Sequence, residues 1–124
     1  MPENPSIQEL FELVRKIPYG RVVSYGSLGR SLSRPVSGLL VGKWMARIPR
    51  DLPWWRVVSK SGHLAISNRD IALGLEQMER LKREGVNFIG DEVEVIEFMI
   101  NAENLPLRFG FLPCISLGQE LSQL

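Results

Sequence analysis

Residues 52–58 read Leu52-Pro53-Trp54-Trp55-Arg56-Val57-Val58, and the adjacent Trp54 and Trp55 are the side chains with the most distinctive chemistry in the chain. An indole has one N–H donor, no accessible pKa and no nucleophilic heteroatom. Such a pair can stack, bury itself and donate hydrogen bonds, but it cannot accept or transfer a group. The usual carriers of covalent or metal chemistry are scarce. Cys114 is the one cysteine and His63 the one histidine. Cys114 sits in a tail as Pro113-Cys114-Ile115-Ser116 and reads as packed or incidental. His63 falls in an expected turn with no cysteine near it, so neither a metal site nor a cofactor is expected. No motif pairs a nucleophile with a base, and an enzyme of unrelated chemistry has no support.

The elements that must position these residues follow from periodicity and punctuation. Ile7, Leu10, Phe11, Val14 and Ile17 recur at helical spacing, which predicts a helix over 6–16, capped by Ser6 and stopped by Pro18 and Gly20. Residues 17–23 make a turn and a short extended piece. Ser24 caps a second helix over 25–32, with Leu28 and Leu32 facing inward. Ser33 or Arg34 before Pro35 starts a third helix that runs to about Arg47, since proline tolerates the first helical position. Two short helices with a tight connection resemble a helix-turn-helix. Gly38 and Gly42 on its second member would let that backbone approach another surface. Residues 49–53 form a loop, 55–58 a short strand, 61–62 a turn and 64–66 another extended piece. Ser67 or Asn68 caps a fourth helix over about 69–84, whose inward face is Ile71, Leu75, Met78 and Leu81 or Lys82, with Gly85 past its end. Residues 86–88 and 93–95 flank Gly90-Asp91 as a hairpin. The tail, 97–124, mixes a short helical pattern with Pro106, Gly110, Pro113 and Gly118. The expected fold class is mostly α with short β elements, of helix-turn-helix or winged-helix-like type.

A chain of 124 residues, 44% hydrophobic and 23% charged, is of ordinary globular composition and long enough to bury a core without disulfides or metal. No signal peptide is expected from its first residues, and no apolar run is long enough to span a bilayer. A cytoplasmic location and no membrane partner are expected, with nucleoid association in a prokaryote. The net charge of +1 hides an asymmetry. Between Leu13 and Arg50 lie Arg15, Lys16, Arg21, Arg30, Arg34, Lys43, Arg47 and Arg50, with no Asp or Glu; from Asp70 onward acidic residues outnumber basic ones by ten to four. The first half can carry a positive face toward a polyanion, although a solvated basic surface would read the same way.

Five segments, in order, resemble the DNA-binding domain of the O6-alkylguanine-DNA alkyltransferases. They are Ile17-Pro18-Tyr19-Gly20-Arg21-Val22-Val23-Ser24-Tyr25-Gly26, Val41-Gly42, Pro53-Trp54-Trp55-Arg56-Val57-Val58, Ile66-Ser67-Asn68-Arg69 and Glu84-Gly85-Val86. The resemblance covers about residues 6–88, so residues 1–90 are expected to form the DNA-binding domain and 91–124 an extension that packs on it or binds a partner. In that family the third segment carries Pro-Cys-His-Arg-Val. Here Trp54 stands at the nucleophile and Trp55 at the histidine that activates it, while Glu84 remains at the third position of the relay. Alkyl transfer is thereby excluded, and Glu84 is expected to cap or to pair with Arg56. Replacement of the cysteine by tryptophan marks the alkyltransferase-like branch, and Ile66-Ser67-Asn68-Arg69 resembles that branch's binding loop.

The resemblance implies a non-enzymatic sensor. It would bind double-stranded DNA containing O6-alkylguanine through a helix-turn-helix in the minor groove, flip the base into a pocket lined by Trp54, Tyr25, Arg69 and Trp55, and flag it for nucleotide excision repair proteins. A monomer is expected. A base rotated out of the stack needs a π-face or apolar wall, worth about 1–3 kcal/mol per base. Tyr25 matches the tyrosine that presses on the phosphate of the target nucleotide, and Arg69 an arginine beside the flipped base. Ser24, Tyr25, Arg34, Leu39, Gly42, Lys43 and Arg47 are the expected DNA contacts. Plainer alternatives stand beside these: Trp54 and Trp55 as core, Tyr25 as a buried phenol, Arg69 as a surface arginine, Ser24 as a cap alone. One departure matters. Leu39 replaces the family's arginine finger, which fills the hole left by the flipped base; an apolar wedge can unstack a step but cannot bond the orphaned cytosine. That leaves open a second reading, a helix-turn-helix regulatory or architectural module that does not flip bases.

Overall fold

The computed structural model describes residues 5–105. Helix α1 (Pro5–Arg15) leads into strand β1 (Val23–Ser24), then helices α2 (Tyr25–Ser31) and α3 (Gly38–Met45). A single 3-10 turn (Trp54–Arg56) runs into strand β2 (Val57–Val58), and a second one (Ala65–Asn68) precedes helix α4 (Ile71–Arg83). Strands β3 (Phe88–Ile89) and β4 (Glu92–Val93), a short helix α5 (Val95–Phe98) and a last 3-10 turn (Ala102–Asn104) complete the described residues. The architecture is mostly helical with short β elements, as expected.

The β elements serve as pins. β1 pairs with β2 in parallel, Val23 opposite Val57 and Ser24 opposite Val58, which ties the entrance of α2 to the Trp-Trp segment. Val22 bridges to Met99, with Ile100 N–H donating to Val22 O at 2.9 Å, so the chain after residue 90 closes onto the same strand. β3 and β4 form the antiparallel hairpin expected around Gly90, whose φ of 66° explains the glycine. One apolar core joins Leu10, Leu13 and Val14 of α1 to Leu28, Val41, Trp54, Val57, Ala102 and Leu105; a second gathers Val22, Val58, Leu64, Leu81, Val86, Val93 and Phe98.

Several expectations need correction. α1 already includes Pro5 and Ser6, so Ser6 is inside the helix rather than its cap. α3 starts at Gly38, not near Pro35, because the Ser37 side chain accepts from Leu40 N–H and caps it there. The connection from α2 is therefore six residues long, 32–37, longer than the tight turn expected. Residues 54–56 curl into a 3-10 turn instead of extending, and so do 65–68. The α4 cap is Asp70, which accepts from Leu73 N–H, not Ser67 or Asn68. The inward face of α4 also differs: Gly74, Gln77 and Leu81 are buried, while Ile71 and Leu75 are exposed. Two contacts set that rotation. Gly74 presses against Ser67, where any side chain would collide, and Gln77 bonds the backbone of the Trp-Trp segment. Cys114 and the tail beyond residue 105 lie outside the described residues.

Candidate nucleic-acid interface

The 3-10 curl at 54–56 sends the two tryptophans in different directions. Trp54 is 5% exposed and belongs to the core. Trp55 meets it edge to face, with ring centroids 6.0 Å apart and planes at 87°. The Trp55 indole N–H donates to Glu84 Oε2 at 2.8 Å, and the same carboxylate takes Arg56 at 2.7 Å and Gly20 N–H at 2.9 Å. Burial works against the charge of Glu84, but the bonds from Arg56, Gly20 and Trp55 outweigh it and hold its pKa below the usual carboxylate range. Glu84 thus pairs with Arg56 as expected. Arg56 also donates to Ile17 O at 2.8 Å, so the network links the segment just after α1, the Trp-Trp turn and the end of α4. The positions of a possible relay hold a structural knot in which every hydrogen bond on Glu84 is already committed to protein.

Trp54 faces the other way. Its ring, with Tyr25, Met45, Ile48, Arg50, Ile66, Arg69 and Gln77, lines a void of about 20 Å³. That is room for roughly one water molecule. The Arg50 guanidinium stands 5.4 Å from the Trp54 ring centroid, a cation–π arrangement at the edge of the void. Next to it runs an open groove of about 340 Å³, lined by Tyr25, Gly38, Leu39, Gly42, Lys43, Ala65 and Arg69. Tyr25 and Arg69 line both compartments. Burial raises the Tyr25 phenol above its ordinary pKa, and the nearby Arg69 charge offsets this in part, so the hydroxyl stays protonated and able to donate near neutral pH.

The structure therefore brings together Trp54, Tyr25 and Arg69, and places Leu39, Gly42 and Lys43 along the rim they share. It does not bring Trp55 to this void, because its indole is turned to Glu84. Ser24 accepts from Ser27 N–H and caps α2; it also lines a different groove with Arg30 and Lys60. Arg34 and Arg47 line neither compartment. Leu39 is 76% exposed in the first turn of α3, projecting from the helix rather than packing under it. Of the two α3 glycines, Gly38 packs on the Gly26 backbone, where a Cβ would stand 3.0 Å from Gly26 N, whereas Gly42 has nothing near it and opens onto the groove. Sequence reasoning missed Arg50 and Gln77. The basic run ending at Arg50 was a usable signal for the first; a lone glutamine within a helix gives none for the second.

Residues 5–86 match the model of the family described as 6-O-methylguanine DNA methyltransferase, DNA binding domain. The chain is 37% identical over 81 residues to alkyltransferase-like protein 1 of Schizosaccharomyces pombe, covering 63% of this chain and 73% of that protein. It is 30% identical over 80 residues to a DNA base-flipping protein of Vibrio parahaemolyticus, covering 63% and 77%. Its fold superposes with a TM-score of 0.66 on the crystal structure of the S. pombe protein Atl1 in complex with damaged DNA containing O6-carboxymethylguanine, at 30% identity over 81% of this chain and 98% of that one.

Proposed function

The chain belongs to the family of the 6-O-methylguanine DNA methyltransferase DNA-binding domain, and from that premise we propose that it is a sensor of O6-alkylguanine in duplex DNA that performs no transfer. The observation that carries this reading is the two-compartment site. Tyr25 and Arg69 line both the open groove and the void walled by Trp54. A duplex seated along α3 would bring a rotated base to the groove, with its O6 substituent toward the indole. Tyr25 offers a neutral hydroxyl for a phosphate, and Arg69 a guanidinium for a base edge. Trp54 supplies contact where a nucleophile would supply chemistry. Arg34 and Arg47, with Lys43, add charge along the backbone of the DNA.

The void holds far less than a base, so entry requires Tyr25, Arg69 or Arg50 to move aside, and Leu39 to act as the wedge that opens the stack. That Leu39 carries no guanidinium to bond the orphaned cytosine favours the second reading, duplex binding without flipping. Recognition without repair leaves a marked, distorted site, and nucleotide excision repair is the process suited to read it. A protein with this ligand works where the DNA is, in the cytoplasm, and on the nucleoid if the source is a prokaryote.

Trp54→Ala tests the site and, because removing a buried tryptophan costs about 3–5 kcal/mol, it is read at a temperature where circular dichroism shows the variant folded. There it should abolish the preference for O6-methylguanine over guanine while leaving salt-sensitive binding to plain duplex within about twofold, since phosphate contacts are blind to the lesion. A preference that survives the substitution removes Trp54 from the site. Intact mass measured after incubation with the lesion duplex should stay unchanged; a gain of one methyl would make the protein an acceptor after all.

A further inference from the structure

Gln77 is 1% exposed in the middle of α4, where the rest of the inward stripe is Gly74 and Leu81. Its Nε2 donates to Trp55 O at 3.1 Å and to Val57 O at 2.9 Å. Two carbonyl acceptors fix the amide's orientation, because the oxygen end could not face them. Oε1 is then left buried with no partner in the protein, and it is the one buried side-chain polar atom so placed among the described residues. An orphaned buried acceptor is costly, and native proteins keep few of them. Gln77 also lines the void that Trp54, Tyr25 and Arg69 line. The other polar groups there, the Tyr25 hydroxyl and the guanidinium groups of Arg50 and Arg69, are donors or donor-capable. Gln77 thus brings an unpartnered acceptor to a void whose other polar lining residues carry donors.

We propose that Gln77 is a specificity residue whose Oε1 accepts a hydrogen bond from a neutral N–H or O–H donor entering the void beside Trp54. This rests on the lesion-sensing reading above. An O6-alkylguanine can present such a donor in two places: the exocyclic 2-amino group of the base, or a hydroxyl on the O6 substituent. Alkylation removes the N1 proton of guanine, so the amino group is the donor that survives on the base itself. An acceptor cannot reward a purely alkyl substituent. It can reward one that ends in a hydroxyl.

The test uses the full chain and duplexes that differ at one nucleotide. One pair compares O6-methylguanine with O6-methylhypoxanthine, which lacks the 2-amino group. The other compares O6-(2-hydroxyethyl)guanine with O6-propylguanine, which is nearly isosteric without the hydroxyl. Loss of the donor should weaken binding about fivefold in at least one pair, the factor a neutral hydrogen bond supplies, and the affected pair identifies the source. Gln77→Met, similar in length but without the amide, should erase that difference. If neither pair differs while both lesions still bind more tightly than guanine, Gln77 holds a bound water only: the inference fails and the lesion reading stands. A donor effect that persists in Gln77→Met overturns it equally. Gln77→Met also removes the two bonds to Trp55 O and Val57 O and can unfold the chain. The side-chain carbonyl of Gln77, followed by NMR in the unaltered protein, is therefore the independent readout. Its resonance should shift with the donor-bearing ligand and not with the matched donor-free one; identical shifts overturn the proposal.

Discussion

Trp55, Arg56 and Glu84 form a closed set of bonds at the point where the resemblance places an activating relay. The ion pair is 2.7 Å long between largely buried groups, and the indole N–H and the Gly20 N–H fill the remaining acceptor positions of the carboxylate. Removing one partner of a buried pair leaves the other charge uncompensated, at about 3–5 kcal/mol. Glu84→Gln should therefore lower the unfolding free energy by an amount toward that range, read from urea titration. The pH dependence has a definite sign. The folded-state pKa of Glu84 is depressed, so its contribution to stability is complete above the ordinary carboxylate range and is lost as pH falls through the lower folded value. Stability measured from neutral pH downward should fall more steeply in the native protein than in Glu84→Gln; parallel curves would contradict the assignment. The Arg56–Glu84 pairing was legible in sequence because the two positions come as fixed parts of the family pattern. The bond from Trp55 was not, since nothing in the order of residues says which way an indole turns.

At the scale of elements, α1, α2 and the 88–93 hairpin were legible because each carries a complete local signal: apolar spacing of 3.6, a serine whose side chain bonds the third residue on, or a glycine at positive φ. α3 and α4 were legible as helices but not in phase. Pro35 and Ser37 are both acceptable starts, and only the bond from Leu40 N–H to Ser37 decides between them. On α4 the apolar residues Ile71 and Leu75 suggested a face, yet the close approach at Gly74 and the bonds of Gln77 turn them outward. Tertiary contact overrode pattern there. The consequence is measurable. Leu81→Ala, in a fully buried position, should cost about 2–5 kcal/mol, whereas Ile71→Ser and Leu75→Ser should each stay within about 0.5 kcal/mol. Thermal or urea denaturation of the three variants checks this; comparable losses in all three would restore the face expected from sequence.

For the whole molecule, the charge asymmetry of the sequence acquires a place. Lys43 and Arg69 stand on the groove with the exposed Leu39, Arg50 stands beside Trp54, and no helix among the described residues is long and apolar enough to cross a membrane. Lys43→Gln should weaken lesion-bearing and plain duplex by similar factors and reduce the slope of log affinity against log salt by about 0.9. A loss confined to the lesion would mean that Lys43 touches the base rather than the backbone. The grouping of Trp54, Tyr25 and Arg69 around one void, the candidate site, was legible from residue identity. The site was illegible where it rests on shape, in the division between an open groove and a nearly closed void. The central claim is that this chain tells O6-alkylguanine from guanine. The most direct measurement is the ratio of affinities for one duplex carrying O6-methylguanine or guanine at a single position, at one stated salt concentration. The account predicts tighter binding of the lesion by at least about tenfold, a difference of about 1.4 kcal/mol; equal affinities would contradict it and leave a duplex-binding module that does not sense damage.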